Sequence, residues 1–134
     1  MVGIIVVSHG TMAEGMLNAA GMIVGPLDDI LPVSLKEADA VEDLMGRIAQ
    51  AVDQVDSGDG VLILVDAFGA SPFNAGARLA LARPKIEVIS GMNLPMLMEL
   101  AISREGMNLD ELVKIALEAG TTSIRTLSQS LKSE

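Results

Sequence analysis

The 134-residue sequence contains no cysteine, tryptophan or tyrosine, only two phenylalanines and a single histidine. Without cysteine there are no disulfides, no thiolate nucleophile and no thiolate metal site. With so few rings, the core has to be built from Val, Ile, Leu, Ala and the nine methionines. Methionine is an adaptable filler that suits irregular gaps in a core as well as interaction surfaces. Positive charge is scarce too: nine Lys and Arg against eighteen Asp and Glu leave a net charge of −9. Phosphate-backbone binding needs a basic face, which argues against nucleic acid as a partner and is compatible with a basic protein partner. Long apolar runs are missing as well. The opening Met1-Val2-Gly3-Ile4-Ile5-Val6-Val7 has no basic residue and no cleavage site, and it stops at His9, far short of a membrane span. A cytoplasmic protein is the expectation.

Half of the residues are hydrophobic and a fifth are charged, which excludes disorder, and the length suits one domain filling residues 1–134. Ile4 to Val7 is a β-branched run closed by Ser8-His9-Gly10, the pattern of a buried parallel strand. Met12, Met16, Ala19, Ala20 and Ile23 then recur at helical spacing, with Thr11 as cap and Gly25-Pro26 as stop. Ile30 to Val33 is a second short strand, and Pro32 assigns it to an edge. Ala40 to Val55 is an amphipathic helix ended by Ser57-Gly58-Asp59-Gly60. Val61 to Val65 is the strongest strand and ends at Asp66. Ser71-Pro72 opens a helix to about Leu81, with Ser as cap and Pro at the first helical position. Ile86 to Ile89 reads as a fourth strand, Leu94 to Ser103 and Leu109 to Ala119 as helices, and Ser123 to Leu127 as a small extra strand. Strands alternating with helices predict a doubly wound α/β fold: a mainly parallel four-stranded sheet covered on both faces.

Open parallel sheets bind ligands beyond the carboxyl ends of their strands. The unusual residues fall there: His9 after the first strand, Asp66 after the third, Asn93 after the fourth. Asp66-Ala67-Phe68-Gly69-Ala70-Ser71-Pro72 adds a glycine-containing turn leading into a helix start, where free amides favour an anion. Taken singly, each has a plain structural explanation: Asp66 as a turn cap, Ser71-Pro72 as helix initiation, Gly10, Gly69 and Gly91 as tight turns. Their common placement is what points to a site. A neutral imidazole attacks phosphorus without first losing a proton from the attacking nitrogen, and a carboxylate on its other nitrogen fixes the tautomer. The chain has no Gly-Lys-Ser/Thr phosphate loop and no GxGxxG, so a nucleotide donor is not expected.

Three segments, in order and at matching spacing, resemble the enzyme IIA component of the mannose-type sugar phosphotransferase system (PTS) over nearly the whole chain. They are Ile4-Ile5-Val6-Val7-Ser8-His9-Gly10, Val61 to Asp66 with Gly69-Ala70-Ser71-Pro72-Phe73-Asn74, and Gly91-Met92-Asn93-Leu94-Pro95-Met96-Leu97. The resemblance implies that His9 is phosphorylated, that Asp66 is its hydrogen-bonding partner and that Ser71 lies beside the phosphoryl group. Thr11 and Gly10 complete the expected phosphoryl-binding set, and no cofactor or metal is implied. It further implies the phosphocarrier HPr as donor, enzyme IIB as acceptor, an indirect link to a membrane permease, and a homodimer exchanging a C-terminal strand over Ser123 to Leu127. The sequence departs from the pattern at Ala70, where glycine is usual, and at Phe68, where a Trp is common. No Ala/Pro-rich linker precedes Glu134, so enzyme IIB is expected on a separate polypeptide.

Two other readings compete. The phosphoryl-donating subunit of dihydroxyacetone kinase shares the fold and an N-terminal histidine, but Ser-Pro-Phe-Asn and Asn-Leu-Pro-Met favour the sugar system. A small tetrapyrrole metal chelatase also opens with a strand ending in His-Gly, yet one histidine and no cysteine make a poor ligand set for a transition metal. Met92, Leu94, Pro95 and Met96 read either as an apolar contact surface near the rim or as core at the start of a helix. The sugar is not legible in this chain.

Overall fold

A computed structural model describes residues 1–132. Ten elements follow in chain order: β1 (Gly3–His9), α1 (Met12–Val24), β2 (Ile30–Leu35), α2 (Val41–Val55), β3 (Val61–Val65), α3 (Ser71–Ala82), β4 (Ile86–Ile89), α4 (Leu94–Ser103), α5 (Leu109–Thr122) and α6 (Leu127–Lys132). The sheet is wholly parallel in the order β2-β1-β3-β4. Pro32 lies on β2, which is an edge as the missing N–H requires.

Alternation along the strands divides the apolar side chains between two cores. Ile4, Val6, Leu62 and Leu64 pack with Ala13, Met16, Leu97, Leu100 and Leu112 of α1, α4 and α5. Ile5, Val7, Ile63 and Val65 pack with Leu44, Ile48, Val52 and Ala75 of α2 and α3. Burial on both faces explains why the two central strands read as continuous apolar runs. Gly3 is required by that packing, because a Cβ there would lie 2.6 Å from the Val55 carbonyl oxygen. At the far end of α5 a Cβ on Gly120 would lie 2.7 Å from Met96 Cε, a flexible tip that can move aside.

Arg104 ties the amino-terminal side of the sheet together. It is 4% exposed, and its guanidinium donates to the carbonyls of Val2 at 2.6 Å and Asp29 at 3.1 Å, and to that of Asp28. Arg104→Met keeps the length but removes the donor to the buried Val2 carbonyl and the tie to the Asp28–Asp29 turn, while the Asp29 carbonyl keeps the Ile4 amide. A loss of about 3 kcal/mol in urea unfolding is expected, against near-neutrality for the exposed Arg125→Met.

Two local expectations are corrected and one open alternative is decided. Ser123 to Leu127 forms no strand within the single chain, and its expected exchange with a second copy belongs to the homodimer reading. Thr121 and Thr122 hydroxyls bond back to α5 carbonyls, Arg125 Nε donates to the Thr122 carbonyl at 3.1 Å, and Thr126 caps α6 through a reciprocal pair with Gln129. No neighbouring strand offers a ladder to this segment among the described residues, so local hydrogen bonding wins. Of the two readings open for the Met92–Met96 segment, Met92 and Met96 take the core one, at 5% and 3% exposure, while Leu94 is half-buried and Pro95 exposed. Ser71 is the first helical residue of α3 rather than its cap. The Ala67–Ala70 turn closes at Gly69 (φ +80), which puts the extended residue at Ala70 and starts the helix one place earlier.

Candidate active site

In the strand order 2-1-3-4 the chain leaves β1 toward one edge and β3 toward the other, so a crevice opens between their carboxyl ends. His9 is the last residue of β1, and Asp66 directly follows β3. Parallel pairing of Val7 with Val65 brings the two strand ends level. His9 Nδ1 lies 2.7 Å from Asp66 Oδ2, and the His9 amide donates to that same oxygen at 2.8 Å. The Ala67 amide donates to Asp66 Oδ1, also at 2.8 Å.

Asp66 is thus gripped on both oxygens while its side chain is 13% exposed, and the imidazole is 54% exposed. Partial burial pushes the Asp66 carboxyl upward, but the His9 amide, the His9 ring and the Ala67 amide outweigh it and hold the group below its ordinary 3.8. An ionised carboxylate only accepts, so Nδ1 carries the ring proton. Nε2 then keeps its lone pair, on a ring that is more than half exposed.

The depressed Asp66 carboxyl has a consequence for stability. Its folded pKa lies below the unfolded one, so the unfolded chain binds more protons in that window. The stabilisation is fully present above the ordinary value of 3.8 and is lost as pH falls through the folded value. Asp66→Asn therefore flattens the acid limb of a thermal-stability profile below about pH 4.

The surrounding residues are arranged as follows. Gly10 sits at φ +56, where glycine is favoured, and its amide donates to the Leu35 carbonyl at 2.9 Å. Thr11 occupies the cap position of α1, but with ψ near 9° its hydroxyl makes no cap bond. The cap is supplied by buried Ser8, whose hydroxyl accepts from the Ala13 amide at 2.7 Å. Ser71 is half-buried in the first turn of α3, where Ala70 offers no side-chain cap and Pro72 no N–H. Among the described residues the Thr11 and Ser71 hydroxyls make no hydrogen bond. Asn93 is structural instead: it accepts from the Met96 amide at 3.1 Å and donates to the Gly120 carbonyl at 2.9 Å. Phe68 stands on the Asp66 turn, 79% exposed, its ring edge against Phe73 at 4.6 Å between centroids.

A cavity of about 740 Å³ is lined by Met1, Asp59, Lys85 and Glu105 at the amino ends of the strands, remote from His9. The His9 ring, by contrast, lies more than half open to solvent. Among the described residues no three His, Cys, Asp or Glu side chains are grouped to hold a metal ion, and no helix is long and apolar enough to cross a membrane.

Comparison with known proteins agrees with this geometry. Residues 3–117 match the family described as "PTS system fructose IIA component". The chain is 34% identical over 127 residues to the "PTS system mannose-specific EIIAB component" of Escherichia coli K12, spanning 94% of this chain and 39% of that protein. The mannose/sorbose-specific IIA subunit from Enterococcus faecalis superposes with a TM-score of 0.85 at 31% identity, over 94% of each chain. The phosphotransferase component EIIA from Streptococcus agalactiae does so with a TM-score of 0.89 at 28% identity, over 96% of this chain and 99% of that one. Fold, residue pattern and sequence similarity converge: this chain belongs to the mannose-type family of enzyme IIA components of the sugar phosphotransferase system.

Proposed function

We propose that the protein carries a phosphoryl group on His9 Nε2, taking it from phosphorylated HPr and passing it to enzyme IIB. The observation that carries this reading is the 2.7 Å contact between His9 Nδ1 and the Asp66 carboxylate, which protonates one ring nitrogen and leaves the other exposed as a nucleophile. In the first transfer the N–P bond of the donor's phosphohistidine breaks as the Nε2–P bond forms. The Nδ1 proton stays in place, and the positive charge that develops on the ring is met by Asp66. The second transfer reverses these steps toward the acceptor. The Thr11 and Ser71 hydroxyls and the amides at the starts of α1 and α3 are the groups offered to the equatorial phosphoryl oxygens. The protein itself needs no cofactor for either step, because the donor brings an already activated phosphorus.

The reading is tested by incubating the protein with phosphoenolpyruvate, enzyme I and HPr and measuring intact mass. One acid-labile phosphoryl group, removed on adding enzyme IIB, is the expected result. No gain in mass, or a phosphate that survives acid, overturns it. A homodimer belongs to the same reading: Ile124, Leu127 and Leu131 are 78%, 76% and 65% exposed along the C-terminal segment, an apolar row that a second copy would cover. Sedimentation velocity distinguishes one copy from two.

A further inference from the structure

We infer that Ser8 is a positioning residue for phosphoryl transfer, because its buried hydroxyl takes over the capping of α1 and so leaves the Thr11 hydroxyl uncommitted beside His9. The inference rests on the phosphocarrier reading of His9.

Its starting point is a break in an apolar pattern. Ile4 and Val6 of β1, and Ile30 of β2, face the α1 side of the sheet and are buried in that core. At the last rung on the same face stand two serines, Ser8 and Ser34, directly paired across the two strands. They are 0% and 8% exposed, and Arg104 is the remaining buried polar side chain among the described residues. Buried hydroxyls in an apolar layer have to be bonded, and both bond to the first turn of α1. Ser8 accepts from the Ala13 amide at 2.7 Å, and Ser34 donates to Glu14 Oε1 at 3.3 Å.

Ala13 is the second helical residue, the amide a cap side chain ordinarily serves. Thr11 holds the cap position, but its backbone (φ −96, ψ 9) lies outside the extended region in which a cap side chain folds over the helix end. The duty has passed from Thr11, two residues after the histidine, to Ser8, the residue before it. As a result α1 is fastened to the rung next to His9, and the Gly10 amide fastens the turn on its other side to the Leu35 carbonyl at 2.9 Å. The three residues His9, Gly10 and Thr11 are held between these two bonds. Groups meeting a transferring phosphoryl need placing to a fraction of an ångström, and a misplacement of about 1 Å costs on the order of a hundredfold.

The test compares Ser8→Ala, Ser8→Thr, Thr11→Val and the double variant Ser8→Ala/Thr11→Val. Each is measured for the initial rate of His9 phosphorylation by phosphorylated HPr, normalised to folded protein by urea titration. Ser8→Ala is expected to lose roughly ten- to hundredfold in rate. Ser8→Thr, which keeps the acceptor, recovers most of it. Adding Thr11→Val to Ser8→Ala costs little more, because the hydroxyl is already misplaced. The inference is overturned if folded Ser8→Ala matches the wild type, if Ser8→Thr recovers nothing, or if the Ser8 and Thr11 losses multiply independently. Should Ser8→Ala not fold, Ser8→Cys takes its place with a weaker acceptor of similar size, and the same ordering at smaller amplitude is required. A wild-type protein that takes no phosphate sinks the carrier reading itself, whereas a phosphorylated wild type with an indifferent Ser8 sinks only this step.

Discussion

His9→Gln takes up no phosphate from phosphorylated HPr, to below about a thousandth of the wild-type rate, while unfolding within about 1 kcal/mol of wild type. The loss is expected to be complete because the chain has one histidine and no cysteine. The nearby hydroxyls, Thr11 and Ser71, are poor substitutes: neither has a general base within hydrogen-bonding distance among the described residues. The effect on stability is small because the imidazole is 54% exposed and packs little. Glutamine also reaches far enough to donate an amide N–H toward Asp66, so the carboxylate is not left without a partner. Intact mass after incubation with phosphoenolpyruvate, enzyme I and HPr gives the answer directly. Acid treatment then separates a P–N bond, which hydrolyses, from a serine or threonine ester, which survives. A phosphorylated His9→Gln would show that another residue is the carrier, and Asp66 would then need a different explanation.

Much of the fold is legible because each strand announces its own environment. The unbroken apolar run of Val61 to Val65 is what burial on two faces demands, and Pro32 marks β2 as an edge before any pairing is known. The positions of His9 and Asp66 at strand ends follow from the same reading, since a polar residue ending a buried strand has only the rim to occupy. What the sequence does not reveal is the bond between them. The two residues are 57 positions apart, and their contact depends on the register of β1 against β3. Ser8 was open to inference only in outline: a hydroxyl at a strand's last buried position is visible, but its choice of the Ala13 amide depends on the twist of Thr11. Ser123 to Leu127 misleads for a related reason. A strand needs a neighbouring edge, which a single chain does not give this segment among the described residues, and Thr126 with Gln129 offers a local solution first. Met92 and Met96 illustrate the ambiguity of methionine, whose apolar character fits a surface or a core until packing decides.

Asp66→Asn slows phosphorylation of His9 by roughly two to four orders of magnitude, the range expected when a carboxylate that orients a catalytic imidazole becomes an amide. The change is nearly isosteric, and an asparagine oxygen still accepts from the His9 amide and from Nδ1. Geometry is therefore largely kept, and the loss measures charge. Against the neutral imidazole that attacks, the carboxylate gains only a hydrogen bond. Once phosphorus is bound to Nε2 the ring carries positive charge, and the carboxylate 2.7 Å from Nδ1 acquires an ion pair in a partly screened site. The interaction is stronger after attack than before it, which is the condition for lowering the barrier rather than merely tightening the resting state. The amide also admits the opposite tautomer, because an asparagine flipped to present its NH₂ stabilises a bare Nδ1 and puts the proton on Nε2, where it blocks attack. Two readouts separate these effects. The rate of phosphorylation reports both, while the hydrolysis rate of phosphorylated His9 in Asp66→Asn reports the lost charge alone, and a shortened lifetime is expected. Nitrogen-15 shifts of the ring in the unphosphorylated variant report the tautomer. A variant that phosphorylates at the wild-type rate and holds its phosphate equally long would reduce Asp66 to a turn residue and leave Nε2 selected by exposure only.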